Sequence, residues 1–204
     1  MLKVEELAWA KMDGLMPAIV QDAFDGRLLM QAFMNQEALE TTLERGQVTF
    51  WSRSRSSLWT KGETSGNFLE LVDVIADCDG DALLVLARPA GPVCHLGNDT
   101  CFDSDEPAAY GLAFLGQLER VIEQRDKHRP DESYTTRLLE AGTKRIAQKV
   151  GEEAVEVSLA ATTGDHDELL NEAADLMFHL LVLLRNRGTG LGDLVETLAR
   201  RHAL

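Results

Sequence analysis

Cysteines, basic residues and long apolar runs are all scarce in this sequence, and each scarcity argues against a class of protein. The 204 residues include only three cysteines, an odd number that does not suit a disulfide framework. The 34 acidic residues outnumber the 20 basic ones, and the resulting formal charge of −14 argues against a protein that binds nucleic acid through its phosphates. The longest apolar stretch, 176–184, is interrupted by His179 and is too short to span a bilayer.

The remaining composition is that of an ordinary globular protein. Hydrophobic residues make up 45% of the chain, enough for one large domain or two small ones. The N-terminal segment contains Glu5 and Glu6 where a signal peptide needs an apolar core. We therefore expect a soluble, cytoplasmic protein whose partners include neither a membrane nor nucleic acid.

The first half of the chain predicts strands and one helix. Residues 47–52 alternate between apolar and polar side chains, 68–76 are rich in β-branched residues, and 82–87 form a short apolar run after an Asp-Gly turn. A helix is predicted over 35–45, between an Asn35 cap and a stop at Gly46.

From Gly111 onward the apolar residues recur with a helical period. Helices are predicted over 112–129, 133–161, 165–187 and 191–202; Ser133 caps the second of them, and Gly142 is a candidate break within it. The predicted fold therefore has two domains. Residues 1–108 form a β-rich, metal-binding α+β domain, and residues 109–204 form an all-α helical bundle.

Potential metal ligands are concentrated near the end of the first half. Asp77, Asp79 and Asp81 alternate, so on a strand their carboxylates would share one face and suit Mg²⁺, while Cys78 would point the opposite way. All the cysteines, Cys78, Cys94 and Cys101, lie within 24 positions. Three thiolates suit Zn²⁺ and leave a fourth position for a water that the metal acidifies. The alternative is a solvated turn beside unliganded cysteines.

Hydroxyl, glycine and basic residues are unusually frequent over 50–67. Such a composition suits a phosphate cradle, and a polar hairpin explains it equally well. The candidate substrate-binding residues here are Trp51, Arg53, Ser54, Arg55, Lys61, Gly62, Ser65 and Gly66.

Four segments of the first hundred residues form a specific pattern. They are Phe50-Trp51-Ser52-Arg53-Ser54-Arg55, Leu58-Trp59-x-Lys61-Gly62-Glu63-x-Ser65-Gly66, Asp77-Cys78-Asp79-x-Asp81 and Gly91-Pro92-x-Cys94-His95-x-Gly97-x-x-x-Cys101-Phe102. This pattern resembles phosphoribosyl-AMP cyclohydrolase. The resemblance implies that the three cysteines bind Zn²⁺, in a site completed across a homodimer, and that the three aspartates bind Mg²⁺.

The same resemblance implies hydrolytic opening of an adenine ring between N1 and C6, by attack of a zinc hydroxide on C6. His95, next to a predicted zinc ligand, is the candidate for the proton transfers, and a purely structural role is the alternative. Zinc-dependent deamination ranks lower, because the Pro-Cys-x-x-Cys part of its signature is missing.

Carboxylates recur at helical spacing in the second half. Glu152 and Glu156 lie one turn apart, and Glu172 and Asp175 lie three residues apart in the next predicted helix, so two antiparallel helices could gather them around Mg²⁺. A predicted packing stripe beside these acids comprises Val155, Leu159, Ala173, Leu176 and Leu180. Ordinary solvated helix faces are the alternative.

The wider pattern of the second half is also specific. Glu152-Glu153-x-x-Glu156 followed by Glu172-x-x-Asp175 resembles the all-α nucleoside triphosphate pyrophosphohydrolases. Three segments narrow the resemblance to phosphoribosyl-ATP pyrophosphohydrolase: Ser133-Tyr134-Thr135, Lys149-Val150-Gly151-Glu152-Glu153-Ala154-x-Glu156 and Ala174-Asp175-Leu176-x-x-His179-Leu180-Leu181.

This resemblance implies cleavage between the α and β phosphates at a magnesium site. The implied metal-binding set is Glu152, Glu153, Glu156, Glu172 and Asp175, with Glu153 and Asp175 also catalytic. Lys149 is a candidate phosphate ligand, and Lys144 and Arg145 on the preceding turns are weaker ones.

Together the two resemblances imply consecutive steps of histidine biosynthesis on phosphoribosyl nucleotides, since phosphoribosyl-AMP is the product of the second activity and the substrate of the first. Two alternatives remain. One is a general nucleotide pyrophosphohydrolase with a purine-recognising zinc domain, and the other is a non-catalytic, zinc-stapled dimerisation module.

Overall fold

A computed structural model of the chain describes residues 2–102 and 111–202. The chain divides into two compact units, Met1–Ala113 (unit 1) and Phe114–Leu204 (unit 2). The predicted domain boundary at 108/109 lies outside the described residues. No helix among those described is long and apolar enough to cross a membrane.

Unit 1 is built on a four-stranded mixed sheet and a separate hairpin. Its elements are β1 (Met16–Asp22), β2 (Leu28–Met34), α1 (Gln36–Arg45), β3 (Thr49–Ser52), β4 (Ser57–Thr60), β5 (Leu69–Ala76) and β6 (Leu83–Pro89), preceded by short 3₁₀ helices at Val4–Glu6 and Trp9–Met12. The sheet order is β2-β1-β6-β5, in which only β1 and β6 are parallel, and β3 pairs with β4. Buried side chains of β1, β2, α1, β5 and β6 form one core.

Strands β1 and β2 were not predicted from the sequence. The signal was present in β1, where buried residues alternate from Met16 to Asp22. Pro17 argues against a central strand because it lacks a backbone donor. The structure places Pro17 opposite Phe33 of β2 but before the β1–β6 ladder, which begins at Ala18, so that ladder needs no hydrogen bond from it.

Unit 2 contains α2 (Ala113–His128), whose first residue is the last of unit 1, together with α3 (Tyr134–Thr163), α4 (His166–Asn186) and α5 (Leu191–His202). Ser133 caps α3 by accepting from the Thr136 amide, as predicted. The predicted break is also confirmed: Gly142 has φ 80° and ψ 175°, which divides α3 into two helical segments. The core of this unit comprises Ile122, Leu138, Leu139, Ile146, Leu181 and Val182.

The predicted fold class is confirmed, with a strand-rich first unit and an all-helical second unit. One packing prediction is wrong. Val155 and Leu159 are 58% and 60% exposed, so they do not form a buried stripe in this chain. Helical period alone identifies an apolar face, but it does not say which face the neighbouring helix covers.

Candidate active sites

The three aspartates of unit 1 lie in the turn that connects β5 to β6, and the prediction that they share a strand face is wrong. They nevertheless converge, because one oxygen from each of Asp77, Asp79 and Asp81 lies within 4.8 Å of the others. The turn explains this convergence. Gly80 takes a left-handed φ of +72°, and the amides of Asp81 and Ala82 donate to Asp77 Oδ1 at 2.9 and 3.2 Å.

Lys11 enters this aspartate cluster from a distant part of the chain. Its ammonium group pairs with both Asp79 and Asp81, and these contacts raise the pKa of Lys11. The 3₁₀ helix that carries Lys11 is anchored to the turn, since the Ala8 amide donates to the Gly80 carbonyl at 2.8 Å. Sequence reasoning missed Lys11 because a lysine that is 68 residues from its partner leaves no local signal.

Two of the three cysteines are brought together by one loop, residues 94–101. The Cys94 amide donates to the Asn98 carbonyl at 2.9 Å, and the Cys101 amide donates to the Leu29 carbonyl of β2 at 2.8 Å. Partial burial raises the pKa of the Cys101 thiol, and the neighbouring Cys94 side chain raises it further.

Cys78 is not part of that pair. Over residues 2–102 and 111–202, the groups of three potential ligands within 4.8 Å of one another are the aspartate cluster and one glutamate cluster, and the three cysteines do not form such a group. His95 is exposed, with Nδ1 4.0 Å from Cys94 Sγ. One copy of the chain thus presents a pair of thiols with an imidazole beside it.

The candidate phosphate cradle divides into a hairpin turn and a glycine-rich loop. Arg53, Ser54 and Arg55 are exposed in the β3–β4 turn, where the Arg53 guanidinium stacks 3.9 Å from the centre of the Phe33 ring. Trp51 is half-buried on β3 opposite Leu58.

The glycine-rich loop comprises residues 61–67 and begins near Cys101, where the positive charge of Lys61 offsets part of the increase in the pKa of that thiol. Ser65 and Gly66 are exposed on it. Asn67 connects it to the segment just before Cys94 by donating from Nδ2 to the Pro92 carbonyl at 3.1 Å. The predicted cradle therefore extends from an open hairpin turn to the thiol pair.

Gly62→Ala tests how closely the glycine-rich loop must pack. Gly62 has φ +93°, and an added Cβ would lie 2.5 Å from the main-chain carbon and oxygen of Asn67. We expect a loss of stability of about 3 kcal/mol or more in unit 1, from strain and overpacking together. Thermal denaturation would measure it. Gly14→Ala is the matched control, with φ +79° and nothing within 4 Å; an equal loss there would mean that the close contact is unimportant.

The glutamate cluster of unit 2 joins α3 and α4. Oxygens of Glu153, Glu156 and Glu172 lie within 4.8 Å of one another, and Glu153 is only 4% exposed. Lys149 pairs with Glu153 at 2.6 Å and holds the pKa of that carboxyl below its usual range. A hydrogen bond with Glu153 raises the pKa of Glu156, as expected for two carboxyl groups in contact.

Two members of the predicted metal set lie outside this cluster. Glu152 turns toward Lys149, at 3.0 Å, and toward Gln148, at 2.7 Å. Asp175 is exposed, and its side chain is not one of the three clustered ligands. Helical spacing correctly placed Glu156 and Glu172 on facing turns. It could not show that the Glu152 carboxylate would pair with Lys149 and lie outside the cluster.

Two further residues contact the glutamate cluster. His179 is 3% exposed, with Nδ1 3.6 Å from Glu153 Oε1, and its Nε2 lies 3.0 Å from the Tyr134 hydroxyl. Tyr134 and His179 both belong to the segments that resemble phosphoribosyl-ATP pyrophosphohydrolase, but the sequence alone assigned no role to either residue. Their placement depends on how α3 folds at Gly142, which helical spacing does not specify.

Comparison with known proteins gives a separate family match for each unit of the chain. Residues 30–103 match the family model of phosphoribosyl-AMP cyclohydrolase, and residues 115–202 match that of phosphoribosyl-ATP pyrophosphohydrolase. The chain is 56% identical to the histidine biosynthesis bifunctional protein HisIE of Escherichia coli, an alignment that covers 97% of this chain and 96% of that protein. This chain belongs to the HisIE family.

Other HisIE proteins are similarly close. That of Photobacterium profundum is 55% identical, with 98% of each chain covered, and that of Vibrio parahaemolyticus is 54% identical, with 97% and 94% covered. As a HisIE protein, the chain is a bifunctional hydrolase of histidine biosynthesis, and the two predicted activities are confirmed. Unit 1 contains the cyclohydrolase match, and unit 2 the pyrophosphohydrolase match.

Proposed function

We propose that unit 2 converts phosphoribosyl-ATP to phosphoribosyl-AMP and pyrophosphate at the glutamate cluster, and that unit 1 then opens the adenine ring between N1 and C6 at the cysteine pair. One observation carries this assignment: each unit holds its own, separate set of metal-ligand side chains. The two steps correspond to the second and third of histidine biosynthesis, with the domain boundary near 108/109. The cytoplasm is the expected compartment.

The donor atoms present suit different metals in the two units. Thiolates from Cys94 and Cys101 suit Zn²⁺, with Cys78 as the third ligand, supplied by the partner chain of a homodimer. The oxygens of Asp77, Asp79 and Asp81, and those of the glutamate cluster, suit Mg²⁺. Glu152 and Asp175 complete the glutamate site when their side chains turn inward.

In unit 1, Zn²⁺ when bound would acidify the water that attacks C6. His95, next to Cys94, accepts and returns the protons of that addition and of the ring opening at N1. The substrate phosphates lie along the loop of hydroxyl and basic residues, where Arg53, Arg55 and Lys61 neutralise their charge. Trp51, Ser54, Gly62, Ser65 and Gly66 complete this substrate surface.

In unit 2, Mg²⁺ when bound would neutralise the phosphates and orient a water toward the bond between the α and β phosphates. Glu153 is the proposed base, since Lys149 keeps its carboxyl ionised inside a buried environment. Lys149, which lies beside this carboxylate, is the proposed ligand of a phosphate oxygen, where its charge would stabilise the negative charge that develops on pyrophosphate.

A coupled assay tests the proposed function. Phosphoribosyl-ATP supplied with Mg²⁺ and Zn²⁺ should yield pyrophosphate and the ring-opened carboxamide in equal amounts. ATP and other ordinary nucleoside triphosphates should release little pyrophosphate. Comparable hydrolysis of ATP would favour a general nucleotide pyrophosphohydrolase and contradict the proposed specificity.

Lys11→Met should strengthen cation binding by the aspartate cluster of unit 1. Lys11 pairs with two of the three carboxylates, so a divalent ion must compete with its ammonium group. Removing a solvent-exposed pair of this kind should tighten Mn²⁺ binding by about fivefold, measured by electron paramagnetic resonance. Lys3→Met, which removes an exposed lysine paired only with Glu6, is the control. Weaker Mn²⁺ binding in Lys11→Met would show that the lysine organises the site instead of competing for it.

A further inference from the structure

Tyr134 and His179 form a hydrogen-bonded pair that lies beside the buried carboxylate of Glu153. The Tyr134 hydroxyl lies 3.0 Å from His179 Nε2, and His179 Nδ1 lies 2.8 Å from the main-chain carbonyl of Asp175. The same Nδ1 lies 3.6 Å from Glu153 Oε1. His179 and Glu153 are both almost completely buried, so these contacts act with little screening by water.

The contacts fix the orientation of the imidazole. A carbonyl oxygen only accepts hydrogen bonds, so the 2.8 Å contact with Asp175 requires a proton on His179 Nδ1. The Tyr134 hydroxyl then holds the other nitrogen, and edge-on contacts with the Phe178 and Tyr134 rings limit rotation of the imidazole. The imidazole of His179 is therefore held in one orientation, with its protonated Nδ1 on the side of Glu153.

The break at Gly142 makes this chain of contacts possible. In an unbroken helix, Tyr134 and Glu153 would be separated by 19 residues, or about 28 Å along the axis. In this structure, both side chains approach opposite nitrogens of a single imidazole ring. The two segments of α3 must therefore fold back on each other at Gly142, whose φ and ψ are accessible only to glycine without strain.

We propose that His179, oriented by Tyr134, is a positioning residue of the pyrophosphohydrolase site. Lys149 pairs with Glu153 Oε1 at 2.6 Å, and the imidazole of His179, hydrogen-bonded to the Asp175 carbonyl, lies with Nδ1 3.6 Å from the same oxygen. Contact with both groups would keep the Glu153 carboxylate in one orientation within the glutamate cluster. His179 is not one of the three clustered ligands, so it would act through Glu153. This inference rests on the proposed function of unit 2.

Three substitutions in the full-length protein separate positioning from packing. An asparagine amide can donate from nearly the position of Nδ1, a glutamine amide reaches the position of Nε2, and phenylalanine at 134 removes only one hydroxyl. We expect His179→Gln to lower kcat for pyrophosphate release by about tenfold to a hundredfold with little change in KM, the range seen when partners of metal-site ligands are lost. His179→Asn should recover most of that loss, and Tyr134→Phe should show a smaller decrease in kcat.

A purely structural role predicts a different pattern. If His179 only fills space, the two amide variants should lose activity in proportion to their loss of melting temperature, with no advantage for Asn. That result, or unchanged kcat in both His179→Gln and Tyr134→Phe, would overturn the proposal. Wild-type protein in the same assay tests the proposed function separately, since failure of the wild type to release pyrophosphate would contradict the function and not the positioning.

A spectroscopic measurement completes the test without depending on turnover. In metal-free wild-type protein at alkaline pH, ¹⁵N chemical shifts of the His179 ring should identify Nδ1 as the protonated nitrogen. Tyr134→Phe should change the shift of Nε2 while Nδ1 stays protonated. An unprotonated Nδ1 in the wild type would remove the hydrogen bond to Asp175 that holds the imidazole beside Glu153, and it would overturn the proposal.

Discussion

Cys101→Ser should abolish opening of the adenine ring while pyrophosphate release from phosphoribosyl-ATP continues at nearly the wild-type rate. A serine hydroxyl is a far poorer zinc ligand than a thiolate, so the variant should also lose bound Zn²⁺. The backbone should change little, because the cysteine loop is held by the Cys101 amide on Leu29 and by the Thr100 hydroxyl on Leu28 at 2.6 Å, and serine keeps both contacts. Metal analysis and separate assays of the two steps would check it.

The same substitution tests the proposed sharing of the zinc site between two chains. Cys78 lies apart from the Cys94–Cys101 pair, so Cys78→Ser should reproduce the loss seen in Cys101→Ser. If the third ligand comes from a partner chain, mixing the two inactive variants should restore about one quarter of the sites, because half of randomly mixed dimers contain one intact site of two. No recovery after subunit exchange would contradict sharing, and full zinc and activity in either single variant would contradict the zinc assignment itself.

Local sequence patterns predicted most of the elements but fewer of the contacts within the sites. Ser133 predicted the start of α3 and Gly142 predicted the break within it, because both features depend on nearby backbone geometry. Asp77, Asp79 and Asp81 were correctly grouped for the wrong reason: Gly80 turns the chain, and the carboxylates converge around a loop instead of along a strand.

The contacts that escaped prediction all depend on tertiary folding. Lys11 reaches the aspartate cluster across the fold of unit 1, and Tyr134 reaches His179 only because α3 reverses at Gly142. Neither the long-range approach nor the direction of the reversal is encoded in a short window of sequence. Family resemblance marked several of these residues as part of a pattern, but only the distances show which atoms they contact.

Glu153→Gln should stop pyrophosphate release while leaving ring opening of supplied phosphoribosyl-AMP intact. Glu153 is the most buried acid of the glutamate cluster, and Lys149 keeps it charged, so its loss removes both a metal ligand and the proposed base. We expect kcat for pyrophosphate release to fall by about a hundredfold or more. Glutamine fits the same space and still accepts a hydrogen bond from Lys149, so the stability of unit 2 should change by only about 1–2 kcal/mol.

A control variant and an assay of the cyclohydrolase step test whether the effect of Glu153→Gln is confined to the pyrophosphohydrolase site. Glu140→Gln removes an exposed acid of the same helix that lies outside the cluster, and it should leave both activities unchanged. Each unit contains its own ligand set, so the cyclohydrolase of Glu153→Gln should accept phosphoribosyl-AMP at the wild-type rate. If a folded Glu153→Gln protein lost both activities, the two sites would have to share residues, and the division of the reactions between the units would be wrong.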